Sequence, residues 1–220
     1  FRRVLFRSRV SLLYAANISI PPTNQSILAG SNATFRVTAF GSGPLSYQWL
    51  YEGRPIPQAT NAMFTITKAQ VADSGRYQVA VGDAVGTALS PSATLTVSIK
   101  PVITEPPYRL VVVEGEDAVF SAVSTGTFPL SFRWRKASTV VTNIVQDSPI
   151  GFFTIPKTKL SDAGNYSLIV SNAGGASAAS PGVALVVMAD FDKDGLGDAW
   201  EAANGLQTNN AADALLDFDK

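Results

Sequence analysis

One short motif occurs twice in this chain of 220 residues. An Asp-x-Gly-x-Tyr sequence stands at 73–77 and again at 162–166, and an alternating run of apolar and polar residues follows each copy. A tryptophan precedes each copy, Trp49 in the first case and Trp134 in the second. The alternation predicts a half-buried β-strand after each motif, and a tyrosine at the start of such a strand can hydrogen-bond back to the preceding corner. The repeat therefore predicts two copies of one β-rich unit.

The spacing of the repeat supports this division. Trp49 and Trp134 are 85 residues apart, whereas the motif aspartates are 89 apart, so the second copy carries about four extra residues, which we place within 138–149. Alternation and turn residues predict five strands in each copy. In the first copy these are 33–39, 45–51, 63–67, 76–82 and 88–97, and in the second they are 118–124, 130–136, 152–155, 165–171 and 178–187.

Composition excludes several functional classes. Lys plus Arg and Asp plus Glu are 17 each, and the absence of net charge argues against a nucleic-acid-binding protein, which normally has a basic face. The chain contains no histidine and no cysteine, which removes the commonest general base, thiol catalysis and disulfides. No run of about 18 apolar residues is present, so we expect no membrane span. An active site is therefore not expected here.

Both copies resemble bacterial members of the immunoglobulin-like superfamily, of the I-set type, over about 20–187. The resemblance implies an all-β fold class: two tandem immunoglobulin-like β-sandwiches, followed here by a short C-terminal calcium loop-helix segment. The chain departs from the family at the cysteines. Their positions are occupied by Val37 and Val79 in the first copy and by Ala122 and Leu168 in the second. We expect apolar packing against the tryptophans to replace the disulfide.

The tryptophan strands also suggest a rival function. Leu45, Tyr47 and Trp49 share one face of a strand, as do residues 130, 132 and 134, and exposed aromatic side chains in a row would form a carbohydrate-binding platform. The family pattern instead places this face in the core, and we favour that interpretation. Asp73 and Asp162 are likewise interpreted as structural residues of the corner and not as catalytic acids.

The segment after residue 187 has a different composition. Residues 190–201 read Asp-x-Asp-x-Asp-Gly-x-x-Asp-x-x-Glu, the pattern of a twelve-residue calcium loop with glycine at its sixth position. Calcium prefers six to eight oxygen ligands, and such loops supply them from positions 1, 3, 5, 7, 9 and 12. The predicted ligands are Asp190, Asp192, Asp194, Leu196 through its carbonyl, Asp198 and Glu201.

A strand and not a helix precedes this loop, so it is not a complete EF-hand. We predict a helix over 198–204 that ends at Gly205. Loop-then-helix calcium repeats of this kind resemble dockerin and thrombospondin type 3 modules. Asp217 and Asp219 repeat the start of the loop 27 residues later, which predicts a truncated second loop and further repeats in the parent chain. Extracellular calcium modules bind the ion with dissociation constants of roughly 10⁻⁴ to 10⁻³ M. The segment therefore predicts an extracellular location.

Four regions follow from these patterns. Residues 1–19 form a non-native or partial N-terminal segment, because 1–8 read like a translated sequencing-library adapter; the alternative is a signal peptide with an apolar run over 10–16. The remaining regions are immunoglobulin-like domains at 20–99 and 100–188 and the calcium segment at 189–220.

The leading hypothesis is a non-catalytic, secreted or cell-surface fragment that serves as a spacer or adhesion stalk with a structural calcium site. Its partner would be a protein or glycan surface ligand of unknown identity. One alternative is the accessory region of a secreted hydrolase. Another is a dockerin-like docking module.

Overall fold

The structure of the protein, a computed structural model, describes residues 13–212. The chain divides into two compact units, Phe1–Ser98 and Ile99–Lys220. Both units are built from β-strands, and the described residues contain a single short α-helix, which confirms the all-β prediction. The bounds of the four regions drawn from the sequence stay predictions.

The first unit contains ten strands, and three of them correspond closely to predicted ones. They are β1 (Asn17–Ile20), β2 (Gln25–Leu28), β3 (Ala33–Arg36), β4 (Thr38–Phe40), β5 (Ser46–Tyr51), β6 (Arg54–Pro55), β7 (Met63–Ile66), β8 (Gly75–Gly82), β9 (Thr87–Leu89) and β10 (Ala93–Ser98). One sheet has the order β2-β10-β8-β5-β6, with β9 also paired to β8. On the opposite side of the core, β3 pairs with β7 and β1 pairs with β4. All of these pairs are antiparallel except β2 with β10.

The second unit repeats this arrangement with nine strands. They are β11 (Val102–Glu105), β12 (Leu110–Val113), β13 (Ala118–Thr125), β14 (Leu130–Lys136), β15 (Thr139–Gln146), β16 (Ile150–Ile155), β17 (Gly164–Asn172), β18 (Gly175–Ala176) and β19 (Val183–Met188). One sheet has the order β12-β19-β17-β14-β15, with β18 also paired to β17, and the other has the order β11-β13-β16. The four extra residues of this copy contribute to β15, which the sequence did not predict.

The two cores are built from equivalent aromatic side chains. Trp49 and Trp134 are completely buried, and each lies about 6 Å from a phenylalanine of the neighbouring sheet, with ring centroids 6.0 Å apart for Phe35 and Trp49 and 5.9 Å apart for Phe120 and Trp134. Leu45 and Tyr47 pack against the first core, while residues 130 and 132 are fully buried in the second. The tryptophan strands therefore face the core, as predicted, and form no carbohydrate platform.

The corner motif folds as the sequence predicts. The hydroxyl groups of Tyr77 and Tyr166 donate hydrogen bonds of 2.8 Å to the backbone carbonyls of Asp73 and Asp162. The two aspartate carboxylates accept backbone N–H groups three residues earlier in the chain, at 2.7 Å and 2.9 Å. Each aspartate thus closes its own 3₁₀ turn, which confirms a structural role for both.

The positions of the missing cysteines lie in the cores. Val37 and Val79 belong to the first apolar cluster, and Ala122 and Leu168 belong to the second. All four side chains are buried. Apolar contact therefore fills the place of a disulfide in each sandwich, as expected.

The last predicted strand of each copy is wrong in the same way. Predicted strand 88–97 is interrupted between β9 and β10, and predicted strand 178–187 begins only at Val183, where β19 starts. A proline in each interruption lacks the N–H group that pairing needs. Ser90 and Ser180 take over part of the pairing, because their hydroxyl oxygens accept the backbone N–H groups of Val79 and Leu168.

Several strands lie outside the prediction altogether. The first strands of each copy, β1, β2, β11 and β12, and the edge strands β6 and β15 carry no strong alternation. The predicted strand 33–39 is divided into β3 and β4, with Val37 between them. No helix among residues 13–212 is long and apolar enough to cross a lipid bilayer.

Candidate metal centre

The acidic segment begins directly after β19. A loop leads from Met188 to helix α1 (Asp198–Asn204), and Gly205 at its end has a left-handed conformation with φ of +79°. A left-handed residue at this position is favourable for glycine, because it has no Cβ to clash with the preceding carbonyl. The bounds of the helix and its terminal glycine are those predicted from the sequence.

Hydrogen bonds within the loop fold it around its own carboxylates. The oxygens of Asp190 accept the backbone N–H groups of Lys193 at 2.7 Å and Gly195 at 3.1 Å, and Oδ1 of Asp194 accepts that of Leu196 at 2.8 Å. Gly195 has a backbone φ of +93°, a conformation that residues other than glycine rarely adopt. The sharp turn expected at the sixth loop position is therefore present.

Three predicted ligands come together in this loop. Asp190, Asp192 and Asp194 each offer a carboxylate oxygen, and these oxygens all lie within 4.8 Å of one another. Both carboxylate oxygens of Asp192 and Oδ2 of Asp194 are buried without a hydrogen-bond partner among the described residues. A buried carboxylate oxygen with no donor is unfavourable unless a positive charge compensates for it.

The electrostatics of Asp192 agree with this geometry. Burial raises the pKa of its carboxyl group, and the negative charges of Asp194 and Asp190 raise that pKa as well. The backbone N–H groups of Asp194 and Asn210 act in the opposite direction, although neither meets the geometry of a hydrogen bond. Crowded carboxylates therefore resist ionisation in the protein alone, and a bound divalent cation would remove that resistance.

The remaining predicted ligands occupy different positions. The carboxylate of Asp198 accepts the backbone N–H of Phe191 at 2.8 Å, and the side chain of Glu201 is fully buried in the first turn of α1. Neither residue belongs to the group whose ligand atoms all lie within 4.8 Å of one another. Leu196 is partly buried next to Gly195. The ligands predicted for a second loop, Asp217 and Asp219, lie outside the described residues.

The donor set fits a calcium ion better than a transition metal. Every candidate ligand is a carboxylate or carbonyl oxygen, and the chain has neither histidine nor cysteine to offer nitrogen or sulfur. Hard oxygen ligands on a flexible loop are typical of calcium sites. Asp190, Asp192 and Asp194 would hold the ion, and the full set of six predicted ligands stays a prediction.

Two features around the loop were not predicted. The Ala189 carbonyl accepts the N–H of Asp198 at 2.8 Å, and Gly197 lies so close to Met188 that an added Cβ would be 3.2 Å from its side chain. A cleft of about 530 Å³ also opens between the loop and Glu114, Glu116, Lys157 and Lys159 of the second sandwich. These residues are 30 to 80 positions away in sequence, so no local pattern indicates their proximity.

Comparison with known proteins identifies the family to which the two β-sandwiches belong. The family described as "Immunoglobulin domain" matches residues 17–81 and 100–172. The chain belongs to the immunoglobulin domain family. The two matched ranges fall in the two β-sandwiches, which we now name immunoglobulin domain 1 and immunoglobulin domain 2. Neither range includes the acidic segment.

Individual relatives show the same domains in much longer proteins. Hemicentin-2 of Mus musculus is 30% identical over 188 residues, covering 76% of this chain and 4% of that protein. Cell adhesion molecule DSCAML1 of Gallus gallus is 26% identical over 136 residues, covering 56% of this chain and 7% of that protein. The structure of Sidekick-1 immunoglobulin domains 1–4 has a TM-score of 0.66 at 24% identity and covers 82% of this chain and 51% of that one. This chain thus spans less than a tenth of the length of these two curated relatives.

Proposed function

We propose that this chain is a non-catalytic part of an extracellular or cell-surface protein. Its two immunoglobulin domains serve as a spacer or adhesion stalk, and the segment after Met188 binds calcium as a structural element. The proposal has two parts, which different observations support.

The adhesive part is supported by the immunoglobulin domains themselves. A relative is named a cell adhesion molecule, and tandem domains of this family match most of the described chain. Immunoglobulin domains bind through surfaces and loops that vary between proteins, so the fold alone does not identify a partner. A protein partner is the class that these relatives favour.

The calcium part depends on one observation. Asp192 and Asp194 present buried carboxylate oxygens without hydrogen-bond donors, beside Asp190 and within 4.8 Å. A calcium ion there would pair with these oxygens, remove the repulsion between the carboxylates and fix the loop against the end of β19. Sites in extracellular modules bind at roughly 10⁻⁴ to 10⁻³ M, which matches calcium concentrations outside cells but not inside them.

Calorimetric titration of the chain with calcium tests this part. We expect binding with one ion per described loop, and at about 10 mM calcium we expect the segment and immunoglobulin domain 2 to gain about 1.4 to 2.7 kcal/mol of stability. Asp192→Asn removes a charge from the cluster and should abolish most of the binding. Asp147→Asn removes a charge from an exposed turn of the same domain and should leave binding unchanged.

Hydrogen exchange read separately in each domain supplies an internal control. Domain 1 contains no acidic group of three among its described residues and should keep the same protection with and without calcium. Absence of binding heat, or equal binding by Asp192→Asn and the unchanged chain, would contradict the calcium proposal while leaving the adhesive part standing.

A further inference from the structure

Strand β15 is the last strand of its sheet in the described chain, and its outer edge is unpaired. An unpaired edge presents backbone N–H and C=O groups that can hydrogen-bond to another strand. β15 is eight residues long, Thr-Val-Val-Thr-Asn-Ile-Val-Gln, and contains neither a charged residue nor a proline. Strands at sheet edges are usually protected by such residues.

Domain 1 shows how the same edge is protected. Its edge strand at the equivalent place, β6, has two residues, Arg54 and Pro55. An arginine and a proline on a very short strand prevent the addition of a further strand, because proline lacks the N–H group and the charge resists burial. The equivalent edge strand of domain 2 is longer and carries neither a charge nor a proline.

The side chains of β15 indicate what kind of strand would fit. Val141 and Val145 are 41% and 61% exposed, and Asn143 lies exposed between them. Pairing with β14 places Val145 opposite Ser131 and Asn143 opposite Arg133, which are not core positions. The pairing shifts by one residue at Val141, because Thr142 lies opposite Trp134 and Val140 lies opposite Arg135, so a β-bulge precedes the regular stretch 142–146. Asn143 and Val145 alternate along the face away from the core, Val141 is exposed at the bulge, and a partner with apolar side chains at the same spacing would cover them.

We propose that β15 pairs with β15 of a second copy of this chain, in antiparallel orientation about a two-fold axis at Asn143. In this register Val141 of each copy lies opposite Val145 of the other, and Asn143 lies opposite its own equivalent. The strand is therefore complementary to itself, and its lack of charge means that no like charges meet across the axis. Registers shifted by one residue would place inward side chains opposite outward ones.

The contact would be weak by itself. An eight-residue strand spans only about 27 Å, and edge-to-edge pairing buries less than the roughly 1,600 Å² of a standard stable interface. We expect a Kd in the range of roughly 10 µM to 1 mM. Many copies on one surface would strengthen such a contact through effective concentration, as adhesion requires. The inference goes beyond the proposed function, because it does not depend on the calcium site.

Sedimentation equilibrium of the full chain, up to about 1 mM protein, is the first test. We expect a monomer–dimer equilibrium for the unchanged chain and at least about a tenfold weaker dimer for Val145→Lys, which places a charge on the edge. Val119→Lys is the matched control, because Val119 is 44% exposed on β13, a central strand of the other sheet. It should dimerise like the unchanged chain. Thermal unfolding verifies that both variants fold.

Disulfide cross-linking tests the register of the two strands. The chain has no cysteine of its own, so any cross-link must form through the introduced thiol. Asn143→Cys places two thiols opposite each other on the axis, at a separation that a disulfide can span, and should give a covalent dimer under mild oxidation. Thr139→Cys places the two thiols about 27 Å apart in this register, so this variant should give no covalent dimer.

A second neutral edge strand of this domain, β16, is the main competitor, because the neutral edge strand β12 has only four residues. It has six residues, and its Phe152 is 55% exposed. A chain that stays monomeric at all concentrations would overturn the proposal. So would a dimer that is insensitive to Val145→Lys, or one that cross-links through Phe152→Cys and not through Asn143→Cys.

Discussion

The two immunoglobulin domains build the same corner but support it with different side chains. Both corner tyrosines donate to an aspartate carbonyl at 2.8 Å. Two residues after each core tryptophan stands a second donor to the same corner. In domain 1 this is Tyr51, whose hydroxyl donates to the Ser74 carbonyl at 2.9 Å, and in domain 2 it is Lys136, whose Nζ donates to the Ser161 carbonyl at 2.6 Å. The geometry of the corner is thus independent of whether this donor is a hydroxyl or an ammonium group.

The two domains also differ in the hydrogen bonding of their buried tryptophans. The indole N–H of Trp49 donates to the Asn61 carbonyl at 2.8 Å, whereas that of Trp134 is buried with no hydrogen-bond partner among the described residues. Gly151 of domain 2 stands where domain 1 has Ala62, because Phe132 fills the space that a Cβ would need. The repeated motifs are therefore shared by both domains, whereas the side chains between them make different contacts in each domain.

Gly151→Ala should give the largest difference between the domains. An added Cβ would lie 2.2 Å from the buried Phe132 ring, so we expect domain 2 to lose about 3 kcal/mol of unfolding free energy through overpacking. Native-state hydrogen exchange, read separately for each domain, measures this loss. Gly182→Ala in the same domain is the control, because its Cβ would meet nothing within 4 Å. Equal protection in both variants would show that Phe132 can move aside.

Replacing each core tryptophan by phenylalanine should give an intermediate difference. Both variants lose ring volume, but Trp49→Phe also leaves the Asn61 carbonyl without its donor, whereas Trp134→Phe removes an indole N–H that has no acceptor. We expect Trp49→Phe to cost about 1 kcal/mol more than Trp134→Phe. Chemical unfolding of the two variants measures the difference. A larger loss for Trp134→Phe would mean that its N–H is satisfied by water.

The ionisation of the corner tyrosines affects stability only in alkaline solution and has no effect at neutral pH. Burial, followed by the charges of Asp73, Tyr51 and Glu52, raises the pKa of Tyr77 to about 12. This value lies above that of an unfolded chain, about 10, so the unfolded state loses the proton first. The contribution of Tyr77 to stability is therefore complete below about pH 10 and is lost as the pH rises to about 12.

Phenolate absorbance during an alkaline titration measures this effect. Burial and the charge of Asp162 also raise the pKa of Tyr166, but no neighbour equivalent to Tyr51 or Glu52 contributes there. We therefore expect the corner tyrosine of domain 1 to ionise last. Comparison of Tyr77→Phe with Tyr166→Phe assigns the two transitions, and the reverse order would contradict the assignment.

Much of the fold was predictable because its determinants are local. The corner tyrosines, the inward face of the tryptophan strands and the end of α1 at Gly205 each follow from a spacing of two to four residues. The proximity of Asp190, Asp192 and Asp194 is local as well, since a tight loop brings alternate residues to one side. The identity of the ion in that loop stays a prediction.

Tertiary structure alone decided the remaining features, because they join residues far apart in the chain. The second strand of each domain, β2 or β12, pairs with a strand about 70 to 75 residues away, and its own sequence shows little alternation. The cleft beside the acidic loop and the unpartnered N–H of Trp134 depend on which elements pack together. The open edge of β15 depends on where its sheet ends. Local patterns specify which residues are buried, but only the completed sandwich determines which groups inside it and along its edges are left without partners.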